Sequence, residues 1–265
     1  MTVTDPISRA PSKLARPDGH TLAYHATAAA APGDGRPGVV FCGGFMSDMT
    51  GTKATALEAF ARREGLGFVR FDYLGHGASS GAFTDGTIGR WAEDAIAVLD
   101  EVARGPQVLV GSSMGGWIML LAALARPQRV AGLVGIAPAP DFTEDLMWER
   151  YDAEVRATLE RDGVYREPSA YGEAPYPITL RLIEEGRGHL LLRATIPLAC
   201  PLRILQGMED ADVPWQTALR LAERIESRDV EVTLVKDGDH RLSEPHDLAR
   251  LCDCVAGLIA RLAAA

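Results

Sequence analysis

Val108-Leu109-Val110-Gly111-Ser112-Ser113-Met114-Gly115, followed by Trp117-Ile118-Met119-Leu120-Leu121-Ala122-Ala123-Leu124-Ala125, is the stretch that decides the fold. A short apolar run predicts a buried strand, and the longer apolar run after Gly115 predicts a helix. Between them stands G-x-S-x-G, which in strand–turn–helix context is a nucleophile elbow. The two glycines leave room where side chains would collide with neighbouring backbone. The helix points its N-terminal amides and positive dipole end at the serine, where negative charge would develop. Register puts Ser113, not Ser112, at the middle of the pentad.

Outward from this stretch, short apolar runs alternate with amphipathic ones, the pattern of a largely parallel sheet with helices on both faces. Strands are predicted at Leu22–His25, Val39–Cys42, Phe68–Asp72, Val130–Ile136, Arg203–Gln206 and Val230–Val235. Helices are predicted at Thr52–Arg63, Ile88–Ala103, Trp215–Glu226 and Leu248–Ala264. Residues 138–197 break the alternation. They hold Trp148, Tyr151, Tyr165, Tyr171 and Tyr176, several prolines, and helical pieces near Leu146–Glu160 and Ile178–Glu185. A segment this long is more than a connection, so it is expected to be a helical lid set into a single α/β domain spanning 1–265.

The composition excludes several classes. The chain has 265 residues, 47% of them hydrophobic, and a net charge of −9. An acidic chain lacks the basic face on which nucleic-acid affinity rests. No apolar run reaches the ~20 residues of a membrane span. The start of the chain, with Asp5, Arg9 and Lys13, has neither an apolar signal core nor a transit-peptide pattern, so the expected location is the cytoplasm. The four cysteines, Cys42, Cys200, Cys252 and Cys254, lack the spacing of a zinc site and are expected to be reduced.

A serine hydroxyl needs a general base to act as a nucleophile, and the base needs a carboxylate to orient it. Both stand in loops after later strands: Gly207-Met208-Glu209-Asp210-Ala211-Asp212-Val213-Pro214, and Lys236-Asp237-Gly238-Asp239-His240. His240 is the candidate base. Asp210 and Asp212 both offer the acid, with helix capping as the other role for Asp212. An oxyanion hole needs two preorganised amides. Met114 supplies one. Phe45 is the choice for the other, with Met46 as alternative, because Gly43-Gly44 lets the backbone turn inward. Those glycines complete no phosphate-binding pattern. Asp72 and His76, in Asp72-Tyr73-Leu74-Gly75-His76-Gly77, read as loop braces.

With these motifs in order, the chain resembles the α/β-hydrolase superfamily over nearly its whole length. The hydrolase pattern G-x-x-D-x-x-V-P matches Gly207 to Pro214 and selects Asp210 as the acid. A narrower resemblance runs through Gly44-Phe45-Met46-Ser47-Asp48-Met49-Thr50-Gly51-Thr52-Lys53-Ala54, Arg70-Phe71-Asp72-Tyr73-Leu74-Gly75-His76-Gly77, Thr87-Ile88-Gly89-Arg90-Trp91, Ala137-Pro138-Ala139-Pro140-Asp141-Phe142-Thr143 and Pro177-Ile178-Thr179. These are similar to the mitochondrial palmitoyl-protein thioesterases that also cleave a drug acyl glucuronide. Cys42-Gly43 departs from the Leu-Pro usual there. The resemblance implies serine hydrolysis of esters or acyl thioesters, on a small molecule or an acylated protein, through Ser113, Asp210 and His240. It implies no metal or organic cofactor. Met46, Trp117, Phe142, Ile178 and Trp215 are the candidate substrate-pocket residues. Other reactions run by the same triad, on C–C or peptide bonds or as a perhydrolase, are the alternative.

Overall fold

In a computed structural model of the chain, which describes residues 10–168 and 174–264, the apolar runs pair into one eight-stranded sheet. The strands are β1 (Ser12–Ala15), β2 (Thr21–Thr27), β3 (Gly38–Cys42), β4 (Phe68–Phe71), β5 (Gln107–Ser112), β6 (Val130–Ile136), β9 (Leu202–Gly207) and β10 (Val230–Val235), in the order β1-β2-β4-β3-β5-β6-β9-β10. β2 lies antiparallel to both its neighbours, β1 and β4, and every other pair in the sheet is parallel. β1 was not expected from sequence. Its residues, Ser12-Lys13-Leu14-Ala15, form an exposed edge with no apolar period.

Central strands bury both faces, so their alternating residues feed two cores. On one side Val39, Phe41, Val108, Val110 and Val134 pack with α1 (Thr52–Glu64) and α7 (Pro245–Ala263). On the other, Val40, Leu109 and Leu133 pack with α2 (Ile88–Ala97), α3 (Met114–Ala125) and α6 (Gln216–Arg224). The predicted helix 88–103 is α-helical only to Ala97 and continues as a π-turn over Val98–Val102.

Between β6 and β9 lies the long segment expected to be helical. It contains a π-turn (Thr143–Trp148), α4 (Ala153–Asp162) and α5 (Leu180–Gly186), and also an antiparallel pair, β7 (Val164–Glu167) with β8 (Tyr176–Thr179). The segment is therefore mixed rather than purely helical. Gly163 ends α4 in the left-handed region (φ 74°) and lets the chain reverse directly into β7. Tyr171 falls outside the described residues, as do Asp5 and Arg9.

One side-chain brace closes this segment on itself and two anchors tie it to the body. The buried Asp141 carboxylate, near the segment's start, accepts from the Leu191 and Leu192 amides near its end at 2.7 and 2.9 Å. Glu185 accepts from the Gly89 amide at the start of α2. The indole N–H of Trp117, on α3, donates to the His189 carbonyl at 3.1 Å. Asp141 itself has φ 62°, a left-handed conformation that Asp tolerates better than most residues.

Candidate active site

The turn from β5 into α3 sets the geometry. Ser112 is the last residue of β5, paired with Ile136, and is buried. Ser113 leaves the strand at φ 54°, ψ −119°, which lifts its side chain off the sheet. A non-glycine residue there costs on the order of 1–3 kcal/mol, held by the surrounding packing. A Cβ on Gly115 would stand 2.1 Å from the Cys42 carbonyl oxygen, and one on Gly111 would stand 2.3 Å from the Gly115 oxygen. Only glycines let the three backbones approach this closely. The Ser113 carbonyl accepts from the Gly116 and Ala139 amides, at 2.8 and 3.0 Å.

Ser113 faces His240. The Ser113 hydroxyl donates to His240 Nε2 at 3.0 Å, and His240 Nδ1–H donates to Asp210 Oδ2 at 2.8 Å. An ionised carboxylate only accepts, so Nδ1 carries the proton and Nε2 is the free base. Asp210 Oδ1 accepts from the Asp212 and Val213 amides at 2.9 and 2.8 Å, and its side chain is shielded from solvent. Asp212, the alternative acid, is exposed and contributes its amide to Asp210. The acid and histidine loops are stitched together: Glu209 donates to the Gly238 carbonyl at 2.9 Å, and a Cβ on Gly207 would come within 2.2 Å of that same oxygen. The Leu242 amide closes the histidine loop on Asp239 Oδ1 at 2.9 Å.

The two expected oxyanion donors flank Ser113. Met114 is the first residue of α3, and Gly44 lies so near that a Cβ there would be 3.6 Å from Ser113 Cβ. Among the described residues, neither the Met114 nor the Phe45 amide donates a hydrogen bond. Met46 turns the loop through φ 56°, and the Ser47 amide closes it on the Gly44 carbonyl at 3.2 Å.

Above Ser113 and His240 opens a cavity of about 780 Å³. Two of the five candidate pocket residues, Met46 and Phe142, line it, together with Phe45. The other three do not. Trp117 is fully buried, its indole N–H held by His189 and its ring edge-on to Phe142, so it backs the wall instead of forming it. Ile178 faces Leu159 and Ile183 in the inserted segment's own small core. Trp215 precedes α6 outside the wall. Sequence reasoning did not assign to the pocket Lys53 from α1, or Leu146, Met147, Arg150 and Tyr176 from the inserted segment. Burial lowers Lys53 to about 8, and its ammonium donates to the Arg241 carbonyl.

Asp72 and His76 brace the site from behind. Asp72 accepts from the Met49 and Ala78 amides, 2.6 and 2.8 Å, and so fastens the loop after β3 to the end of β4. His76 sits among the rings of Tyr73, Phe83 and Trp91, and burial lowers it to about 4. The four cysteines are unpaired; burial pushes Cys42 up to about 12, which makes it an inert packing group. Asp210, Asp212 and His240 bring ligand-type atoms within 4.8 Å of one another, but Asp210 and His240 are already engaged with each other. Among the described residues no helix is long and apolar enough to cross a membrane.

Comparison with known proteins agrees with this geometry. Residues 39–251 match the model of the alpha/beta hydrolase family. The chain is 42% identical over 252 residues to the Bos taurus palmitoyl-protein thioesterase ABHD10, mitochondrial, covering 95% of this chain and 80% of that one. Among solved structures, a protein of Agrobacterium vitis S4 described as a hydrolase aligns with a TM-score of 0.89 at 45% identity, covering 95% of this chain and all of that one. The mouse alpha/beta hydrolase domain-containing protein 10 aligns with a TM-score of 0.87 at 42% identity over 96% of this chain and all of its own. The expected cytoplasmic location is corrected here: the bovine relative is mitochondrial by name, and the reading of the first residues as lacking a transit pattern does not outweigh that likeness.

Proposed function

Because the chain belongs to the alpha/beta hydrolase family, we propose that it is a serine hydrolase that cleaves acyl thioesters and carboxylic esters through an acyl-enzyme on Ser113. The observation that carries this reading is the unbroken hydrogen-bond chain from Asp210 through His240 to a backbone-strained Ser113 on the cavity wall.

His240 Nε2 takes the Ser113 proton as Oγ attacks the acyl carbonyl. Asp210 holds the imidazole by its Nδ1–H and balances the imidazolium that forms. The Met114 and Phe45 amides meet the oxyanion, aided by the N-terminal end of α3. The tetrahedral intermediate collapses as His240 protonates the departing thiol or alcohol. A water, deprotonated by the same nitrogen, then attacks the acyl-enzyme and restores Ser113. None of these steps calls on a metal or organic cofactor.

The acyl chain enters between Phe45, Phe142, Leu146, Met147 and Tyr176. A cavity of about 780 Å³ lies well within the ~300–1,000 Å³ of small-molecule sites and has room for a long acyl chain. Residues 138–197 act as the lid over this path within a single α/β domain. The substrate is a small acyl ester or thioester, or an acylated protein whose lipid alone reaches the cavity.

The test is kcat/KM on matched oxygen esters and thioesters, from acetyl to palmitoyl, with Ser113→Ala as control. The reading predicts rates that rise toward long thioesters and vanish in the variant. Rates independent of Ser113, or absent on every ester and thioester, would overturn it.

A further inference from the structure

Gln206 stands four residues before Asp210, at the end of β9, with no exposed surface. Its Nε2 donates to Asp210 Oδ2 at 2.9 Å, and lies 3.2 and 3.3 Å from the Val213 and Gly207 carbonyl oxygens. Its Oε1 has no partner. Three oxygens surround one end of the amide, so only the NH₂ end fits there; turned over, Oε1 would face all three and two buried donors would be stranded. The orientation is therefore fixed by chemistry, and the orphaned Oε1 is the cost of it.

We propose that Gln206 is a positioning residue for the catalytic acid, holding Asp210 Oδ2 at the angle from which it receives the His240 proton. The inference rests on the Ser113–His240–Asp210 reading above. Backbone amides of Asp212 and Val213 fix only Oδ1, which leaves the carboxylate free to swing about that edge. The Gln206 bond lands on the same oxygen that His240 uses, so both ends of the carboxylate are pinned. The same NH₂ also reaches the strand end before the acid loop and the carbonyl three residues past Asp210, so it braces the loop across its width. A hydrogen bond to an ionised group is worth about 10- to 100-fold in an equilibrium.

Two variants of similar shape test this. Gln206→Met deletes the donor, and Gln206→Glu replaces it with a group that repels Asp210 Oδ2. The expected order of kcat is wild type, then Gln206→Met about tenfold lower, then Gln206→Glu lower still, with KM unchanged because Gln206 does not line the cavity. Melting temperature is measured alongside, so that kcat refers to folded protein. Folded variants with wild-type kcat, or a loss seen wholly in KM, would overturn the positioning role while leaving the Ser113 reading intact. Full activity in Ser113→Ala would overturn both.

Discussion

The loops at the ends of the parallel strands and the segment inserted between β6 and β9 face each other across one cavity, yet they are built on different rules. Each strand-end loop is short, and steric necessity fixes it: Gly111, Gly115 and Gly207 stand where a Cβ would strike backbone at 2.1–2.3 Å. The inserted segment has its own core of three fully buried residues, Leu159, Ile178 and Ile183, is closed on itself by Asp141, and is attached to the body through Glu185 and the Trp117 indole. Phe45 joins the two, its ring edge-on to Phe83 and Trp91 on one side and to Phe142 and Tyr176 on the other. The contrast sets an expectation: a change at the strand ends should alter the reaction itself, and a change in the inserted segment should alter acyl preference.

The comparison breaks first, and most visibly, at the strand ends. Ser113→Ala or His240→Ala should fold normally and lower kcat by at least ~10³-fold, and Asp210→Asn by a comparable factor. Steady-state turnover with a melting curve for each variant checks this.

A second effect sharpens the picture of the brace behind the loop after β3. The folded protein holds His76 near 4, below its ordinary 6.5, so the unfolded chain takes up this proton first as pH falls. Stability is therefore lost between pH 6.5 and 4, by roughly 3 kcal/mol from this group. Asp94, pushed up to about 6 by burial, works in the opposite direction. In His76→Phe the loss from His76 should vanish while the opposing gain from Asp94 stays. Urea unfolding at pH 7 and pH 4 separates the two, and an unchanged pH dependence would remove His76 from the account.

On the other side of the cavity effects should be smaller and selective. Phe142→Ala should lower kcat/KM for long acyl chains by about tenfold, close to 1.5 kcal/mol of lost apolar contact, and leave acetyl substrates nearly unchanged. A uniform loss across chain lengths would mean that Phe142 supports the strand ends instead. The smallest effect is expected from Asp212→Asn, within about twofold of wild type, because its amide and not its carboxylate serves Asp210. A loss matching Asp210→Asn would reverse the choice of acid.

The same division explains what could be read from sequence. The strand-end residues announce themselves because glycine, serine, aspartate and histidine at fixed spacing leave few alternatives, and Val130–Ile136 and Val230–Val235 are apolar enough to bound their strands. β1 and β7 were invisible because Lys13, Arg166 and Glu167 interrupt any apolar period, and β7 exists by pairing with β8. Pocket residues failed for a different reason. Nearness to a motif does not say which way a side chain points, so Trp117 and Ile178 turned into cores while Lys53 and Tyr176, distant from the serine in sequence, line the cavity. Gln206 carries no signal of its own, since one buried glutamine on a strand matters only once its partner is known.

The most direct test is the intact mass of enzyme quenched during turnover of a palmitoyl thioester, followed by peptide mapping. The account predicts one palmitoyl adduct, on the peptide containing Ser113 and absent from Ser113→Ala. An adduct on another residue, or undiminished turnover without Ser113, would contradict it.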